Sequence, residues 1–186
     1  MTDTVRPSQL KSRLILLLIV AMFFSSFFIA WGLYLSGWTP EGSKNLGELI
    51  QPPKDLSQAD FRYIDGKPYL WQTESHIWRV VVVPSADCTV VCQKMTETLL
   101  RVWETQGRQA DRVDVLWFGK LPKDAHVFRK LFVMQPSPKL QAALTQTSGA
   151  DTLPVYLIDP NGYLVMQYRP GFNPSDLRKD LARLLK

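Results

Sequence analysis

The feature that most constrains this chain is an uninterrupted stretch without charge. No Asp, Glu, Lys or Arg occurs between Leu14 and Pro40. Its densest part, residues 14–35, reads LILLLIVAMFFSSFFIAWGLYL. As a helix those residues span ~33 Å, enough for a hydrocarbon core of ~30 Å. Trp31, Tyr34 and Trp38 gather at the far end, where amphipathic rings favour the membrane interface. Arg6, Lys11 and Arg13 precede the stretch against Asp3 alone, whereas Glu41, Lys44 and Glu48 follow it. The positive-inside rule then places residues 1–13 in the cytoplasm and everything after Trp38 outside. The apolar run is too long for a cleaved signal peptide and no A-x-A site follows it, so the segment is expected to be retained as an anchor over residues 14–36. Ser25 and Ser26 could mark a helix-packing face or be incidental.

Residues 37–60 carry Pro40, Pro52, Pro53, Gly42 and Gly47 among Ser, Asn and Gln, and read as a spacer. The short apolar patch at residues 46–50 could dock on the domain that follows. Residues 61–186 are long enough for a hydrophobic core of their own. Across the whole chain hydrophobic residues make up 46% and charged residues 21%, which excludes a disordered protein. The formal charge of +5 is spread without any run of five Lys or Arg, so it argues for a solvated basic surface near anionic lipid and against nucleic-acid binding.

Within residues 61–186 the pattern predicts a hairpin around Asp65-Gly66 (61–71) and a buried strand at 78–83 (WRVVVV). A helix follows over 89–106, with Val91, Met95, Leu99 and Val102 on one face. The next strand is VDVLWF at 113–118. Residues 121–136 read as a loop with a short helix around 125–131, and 137–147 as a helix. A second hairpin, 155–158 and 163–168, turns at Asp159-Pro160-Asn161-Gly162. Asn173 as N-cap, Pro174 at the first position and Leu177, Leu181 and Leu184 on one face define the last helix. The order β-α-β-(α)-β-β-α describes a thioredoxin-like α/β fold, a mixed central sheet flanked by helices.

Cys88 and Cys92 are the only cysteines. They lie at the junction between the first core strand and its helix, four residues apart, so both sulfurs can face the same way across one turn. A helix amino terminus stabilises a thiolate, most for Cys88, while the charge of Asp87 opposes this. The pair could close a disulfide, grip a soft ion such as Cu(I), or stand as inert buried thiols. A disulfide closing so short a loop stabilises the fold by only on the order of 2 kcal/mol, which favours chemistry over a structural bridge.

With its anchor, its element order and its C-x-x-x-C, residues 78–186 resemble the Sco/SenC family of membrane-anchored copper metallochaperones and thiol-disulfide proteins of cytochrome c oxidase assembly. The likeness is strongest at Cys88–Cys92 and at Tyr156-Leu157-Ile158-Asp159-Pro160-Asn161-Gly162, which is similar to the family's Y-L-I/V-D-P-x-G hairpin. Residues 46–53 (LGELIQPP) also look like short anchored proteins encoded with oxidase assembly factors. The chain departs from the family in two places. Gln93 follows Cys92 where a proline comes soon after, and no histidine stands at or beside Asp151, where the family's copper-binding histidine falls. His76 and His126 lie elsewhere and read as surface residues. Met95 fits the apolar helix face, and Met134 offers a soft sulfur. Leu153-Pro154 sits where thioredoxins keep a cis-proline beside their thiols, so this bond is expected to be cis and Pro154 to belong to the catalytic set with Cys88 and Cys92.

The resemblance implies a bacterial inner-membrane protein, single-pass, with its C-terminal domain in the periplasm. Its partners would be cytochrome c oxidase subunits or other assembly factors. Its chemistry would be thiol-disulfide exchange or Cu(I) handling through Cys88 and Cys92, with Cu(I) as the metal in play. The alternative is a non-catalytic membrane-anchored scaffold with a structural disulfide.

Overall fold

A computed structural model describes residues 7–37, 44–71, 73–145, 149 and 152–186, with residues 7–10 described in backbone only. The tail residues 1–6, Trp38 and Asp151, each used in the reading above, lie outside the described residues. The contacts divide the chain into an N-terminal unit and a second unit, Lys44–Lys186.

The N-terminal unit is helix α1, Pro7–Leu35. Its stretch Lys11–Leu35, which holds an 18-residue window of mean hydropathy 2.6, is long and apolar enough to cross a membrane. Ser25 and Ser26 donate their hydroxyls to the carbonyls of Met22 and Phe23 (2.9 and 2.8 Å). Each is thereby satisfied inside the helix, as a hydrocarbon environment demands.

The second unit is a six-stranded sheet. Its strands are β1 (Glu48–Asp55), β2 (Trp78–Val82), β3 (Val113–Phe118), β4 (Leu131–Met134), β5 (Val155–Ile158) and β6 (Tyr163–Tyr168), in the spatial order β1-β6-β5-β2-β3-β4. Helix α2 (Val90–Glu104) makes the crossover from β2 to β3, and this is why those strands pair in parallel. β4 adds in parallel to β3, while β5 and β6 return as an antiparallel hairpin beside β2. Strand alternation then sorts the apolar side chains into two cores. Val80, Val82, Val115, Trp117, Val155 and Leu157 face α2 and α4 (Pro174–Leu184). Val81, Leu116, Phe118, Tyr156 and Ile158 face the other way, towards Phe61 and Tyr69 and towards α3 (Pro138–Ala143). With helices on both sides of a mixed sheet, the expected thioredoxin-like architecture is present.

Besides α3, which ends at Ala143 with Leu144 extended where a helix over 137–147 was expected, two local expectations change. Residues 131–134 form a strand in a stretch expected to be loop, and 125–130, expected to be a short helix, are turn and irregular chain. The run LFVM is too short for periodicity to decide. Pairing decides it: β4 covers the outer polar edge of β3, which would otherwise present unpaired backbone groups. The new edge is covered in turn by the 61–69 hairpin, where Ile64 N–H donates to Val133 O and Gln135 N–H to Arg62 O.

The second change concerns the spacer. Part of residues 37–60 is strand β1, paired antiparallel to β6, with Ile50, Leu56 and Ala59 buried. Pro52 and Pro53 fall in the irregular part of this edge strand, between the paired residues Leu49 and Lys54, where no ladder N–H is needed. Upstream, the carboxylate of Asp180 on α4 accepts the N–H groups of Leu46 and Gly47 (2.8 and 2.9 Å) and the Tyr168 hydroxyl (2.9 Å). Gly47 is required at this close approach, because a Cβ there would lie 2.7 Å from the Met166 sulfur. Arg183 donates to the carbonyl of Lys44 and to Asp180. The chain is therefore strapped to the domain from residue 44 onward.

Candidate functional site

β2 is buried from Arg79 to Val82, and Pro84 follows its end. The chain then turns through Ser85, whose carbonyl accepts the Cys88 N–H (3.3 Å) and whose hydroxyl donates to Gly149 O (3.1 Å). Thr89 stands at the N-cap of α2 without a side-chain capping bond, and no acidic residue occupies the first turn. The first amide groups of α2 therefore lack a side-chain cap and put the positive end of the helix dipole beside the cysteines.

Cys88 and Cys92 form a disulfide with Cα atoms 5.7 Å apart, within the expected bridging distance. The two sulfurs have different surroundings. Cys92 is 1% exposed and sits in the core among Leu99, Leu153 and Val155. Cys88 is half-buried and lines a groove of about 790 Å³. Phe118, Leu121 and Pro122 wall this groove from the β3 end, and Val83 and Pro84 from the β2 end. Asp87 is exposed and does not line it.

The expectation of a cis Leu153–Pro154 bond is overturned: among the described residues the cis bond is Gln51–Pro52, and Leu153–Pro154 is trans. The reason is packing. Leu153, Val155 and Leu157 all enter the same core, so strand alternation continues straight through residue 154, as an extended trans chain provides. Pro154 is buried at the entrance to β5 and is not part of the groove wall.

Neither histidine joins the cysteines. His76 is exposed, with its ring nitrogen 2.8 Å from the Glu74 carbonyl. His126 is also exposed, and its backbone N–H donates to the Thr96 hydroxyl. Met95 packs against the α2 core and Met134 is buried on the opposite face. Among the described residues no three His, Cys, Asp or Glu side chains converge as a metal site would require. The donor set is thus the two cysteine sulfurs, which when reduced suit two-coordinate Cu(I) and offer little to Cu(II).

Sequence reasoning missed the groove wall at residues 118–122, because 121–136 carried no periodicity. It also missed a buried polar group at the other end of β2. Arg79 is 0% exposed. It donates Nε to the Tyr69 hydroxyl (2.9 Å) and Nη1 to the carbonyls of Ile77 (2.9 Å) and Asp159 (3.1 Å). Tyr69 in turn donates to Asp114 (2.7 Å), which Lys130 pairs at 2.8 Å. The one available signal was a lone arginine inside an otherwise apolar strand.

A disulfide at a strand-helix junction on a mixed α/β sheet flanked by helices defines a thioredoxin-fold protein. The family described as transmembrane-like, thioredoxin-like, C-terminal domain matches residues 78–186. This chain belongs to that family. Among solved structures it is similar to BsSco, a member of the Sco family of cytochrome c oxidase assembly proteins, with 14% identity, TM-score 0.50, and coverage of 78% of this chain and 98% of that one. It is similar as well to T. cruzi GPX1, with 20% identity, TM-score 0.51, and coverage of 71% and 97%. A third similar structure is apo Trgpx, with 13% identity, TM-score 0.51, and coverage of 71% and 95%. At these identities the likeness is one of fold alone, the thioredoxin-like architecture that the family match also gives. No curated protein matches the chain in sequence.

Proposed function

We propose that this protein is a membrane-anchored thiol-disulfide exchange factor serving cytochrome c oxidase assembly, and that its reduced cysteine pair takes Cu(I) as cargo. The observation that carries the reading is the asymmetry of the disulfide: Cys92 is sealed in the core while Cys88 opens onto a groove. That asymmetry supports a division of roles. Cys88 exchanges with the partner, and Cys92 resolves the mixed disulfide from beneath. Uncapped amides at the start of α2 stabilise the Cys88 thiolate and so make it the better leaving and attacking group. Pro154 takes no direct part in this scheme and serves as the packed start of β5. BsSco, a Sco-family cytochrome c oxidase assembly protein with a disulfide switch, shares the fold and supports the reading. Oxidase subunits or fellow assembly factors are the partners this role requires.

The test uses the full chain in neutral detergent. Its disulfide is expected to equilibrate with glutathione redox buffers, and Cys92→Ser to accumulate a mixed disulfide on Cys88 at least about tenfold faster than Cys88→Ser does on Cys92. Reduced wild type is expected to hold one Cu(I) against a competing chelator, with the double serine variant holding none and Cu(II) bound weakly by both. A disulfide that resists these buffers, together with no Cu(I) binding above the double variant, leaves the scaffold reading in place.

The proposed topology puts the amino terminus in the cytoplasm of a bacterial cell and the domain in the periplasm, on the strength of Lys11 and Arg13 before the apolar run. A reporter active only in the cytoplasm, fused after Lys186, is expected to be silent. A mature amino terminus beyond residue 38, or an active reporter, rejects this arrangement.

A further inference from the structure

The groove lies on one particular side of the disulfide. β2 separates β3 from β5 in the sheet. The wall formed by Phe118, Leu121 and Pro122 is on the β3 side, whereas Leu153 and Pro154 belong to the β5 side and are buried. A partner that reaches Cys88 through this groove therefore meets the segment after β3. The charged residues lining it are Lys120, Lys123 and Asp124, all exposed, giving two cations against one anion. The uncapped start of α2 adds partial positive charge at the same place. Asp87, exposed next to Cys88 but outside the lining, offsets part of this charge; the excess inside the groove complements an anion, and an attacking thiolate is one. At about 790 Å³ its capacity also exceeds what a single cysteine side chain fills, and much of its wall is apolar.

From this we infer that the redox partner is a protein segment carrying a cysteine beside an apolar side chain in an acidic stretch, that it enters from the β3 side, and that Lys120 and Lys123 select for its acidity. The inference rests on the exchange reading of the cysteine pair. In the reductive direction the partner thiolate attacks the Cys88 sulfur, the Cys88–Cys92 bond breaks, and Cys92 leaves as a thiolate that takes a proton from solvent. A second thiol of the partner, deprotonated to water, then attacks the partner sulfur of the mixed disulfide and expels Cys88 as a thiolate. The partner ends as a disulfide, and its two electrons reside on the reduced cysteine pair.

The experiment measures disulfide reduction in the full chain in neutral detergent by four thiols. These are a short peptide with Phe-Cys-Leu flanked by glutamates, its counterpart flanked by lysines, glutathione, and dithiothreitol. At low ionic strength the acidic peptide is expected to react about tenfold faster than the basic one, a gap that closes in high salt. The double variant Lys120→Glu, Lys123→Glu is expected to reverse that order. Lys179→Glu, on α4 and outside the groove, is expected to leave it standing. Equal rates for the two peptides, a ratio unmoved by the double variant, or one moved as far by Lys179→Glu overturns the inference. Glutathione reacting as fast as the acidic peptide overturns it in favour of a small acidic thiol. Dithiothreitol separates the two levels of the argument: reduction by it without peptide preference removes this inference alone, and a disulfide inert to it removes the exchange reading as well.

Discussion

Replacing Arg79 with methionine is expected to cost about 3–5 kcal/mol of stability, because several buried acceptors lose their donor at about 1–3 kcal/mol each. The substitution keeps an unbranched side chain of similar reach, so the loss reports chemistry more than volume. Four acceptors lose a charged donor or its support: the Tyr69 hydroxyl and the carbonyls of Ile77, Asp159 and Pro160. The guanidinium also lies 4.5 Å from the Trp71 ring centroid and 5.5 Å from that of Tyr69, so two cation–π contacts go with it. These partners come from three separate parts of the chain, and the arginine ties the 61–71 hairpin and the β5–β6 turn to the start of β2. Reversible urea unfolding of the full chain, with the disulfide intact, measures the change. A methionine variant within about 1 kcal/mol of wild type would show that packing alone holds this end of the sheet.

Why that network escaped the sequence reading, while the strand bearing it did not, is a matter of range. Hydrophobic alternation and caps are local signals. They located β3, β5 and β6 with the observed ends and α4 with the observed start, since VDVLWF, the Asp159–Gly162 turn and the Asn173-Pro174 start each carry their own chemistry within a few residues. The anchor and the position of the cysteines were legible for the same reason. What was not local was misread. β1 was taken for spacer because its prolines argue against a strand, and only its place at the sheet edge beside β6 permits them. β4 was ambiguous until β3 supplied a partner. At the site, the spacing of Cys88 and Cys92 showed that they could bridge, but the burial of one and exposure of the other depends on Leu153, Val155 and Leu99 arriving from elsewhere. The bond at Pro154 was inferred from a likeness of order, and the continuous alternation from Leu153 to Leu157 overrode it.

Alkaline pH is expected to unfold the domain steeply, through two tyrosines that the fold forbids to ionise. Burial is the larger cause at each, and a neighbouring carboxylate adds to it. Tyr69 donates to Asp114 at 2.7 Å and Tyr168 to Asp180 at 2.9 Å, so either phenolate would sit against an existing negative charge. Both hydroxyls are therefore held far above the ordinary tyrosine value of 10.0. The sign follows from linkage. Below pH 10 both states keep the proton and the stabilisation is fully present. Above it the unfolded chain releases two protons that the folded domain retains, so stability falls as pH rises. Each tyrosine contributes a slope of about 1.4 kcal/mol per pH unit, which for the pair amounts to about 4 kcal/mol by pH 11.5. The consequence reaches the anchor end of the domain, because Asp180 also holds the N–H groups of Leu46 and Gly47. Urea midpoints recorded from pH 8.5 to 11.5 give the slope. Tyr69→Phe and Tyr168→Phe are each expected to halve it, whatever they cost at neutral pH, since phenylalanine has no proton to lose. If both variants keep the full wild-type slope, other groups, such as the lysines, govern the alkaline transition and the two buried hydroxyls do not.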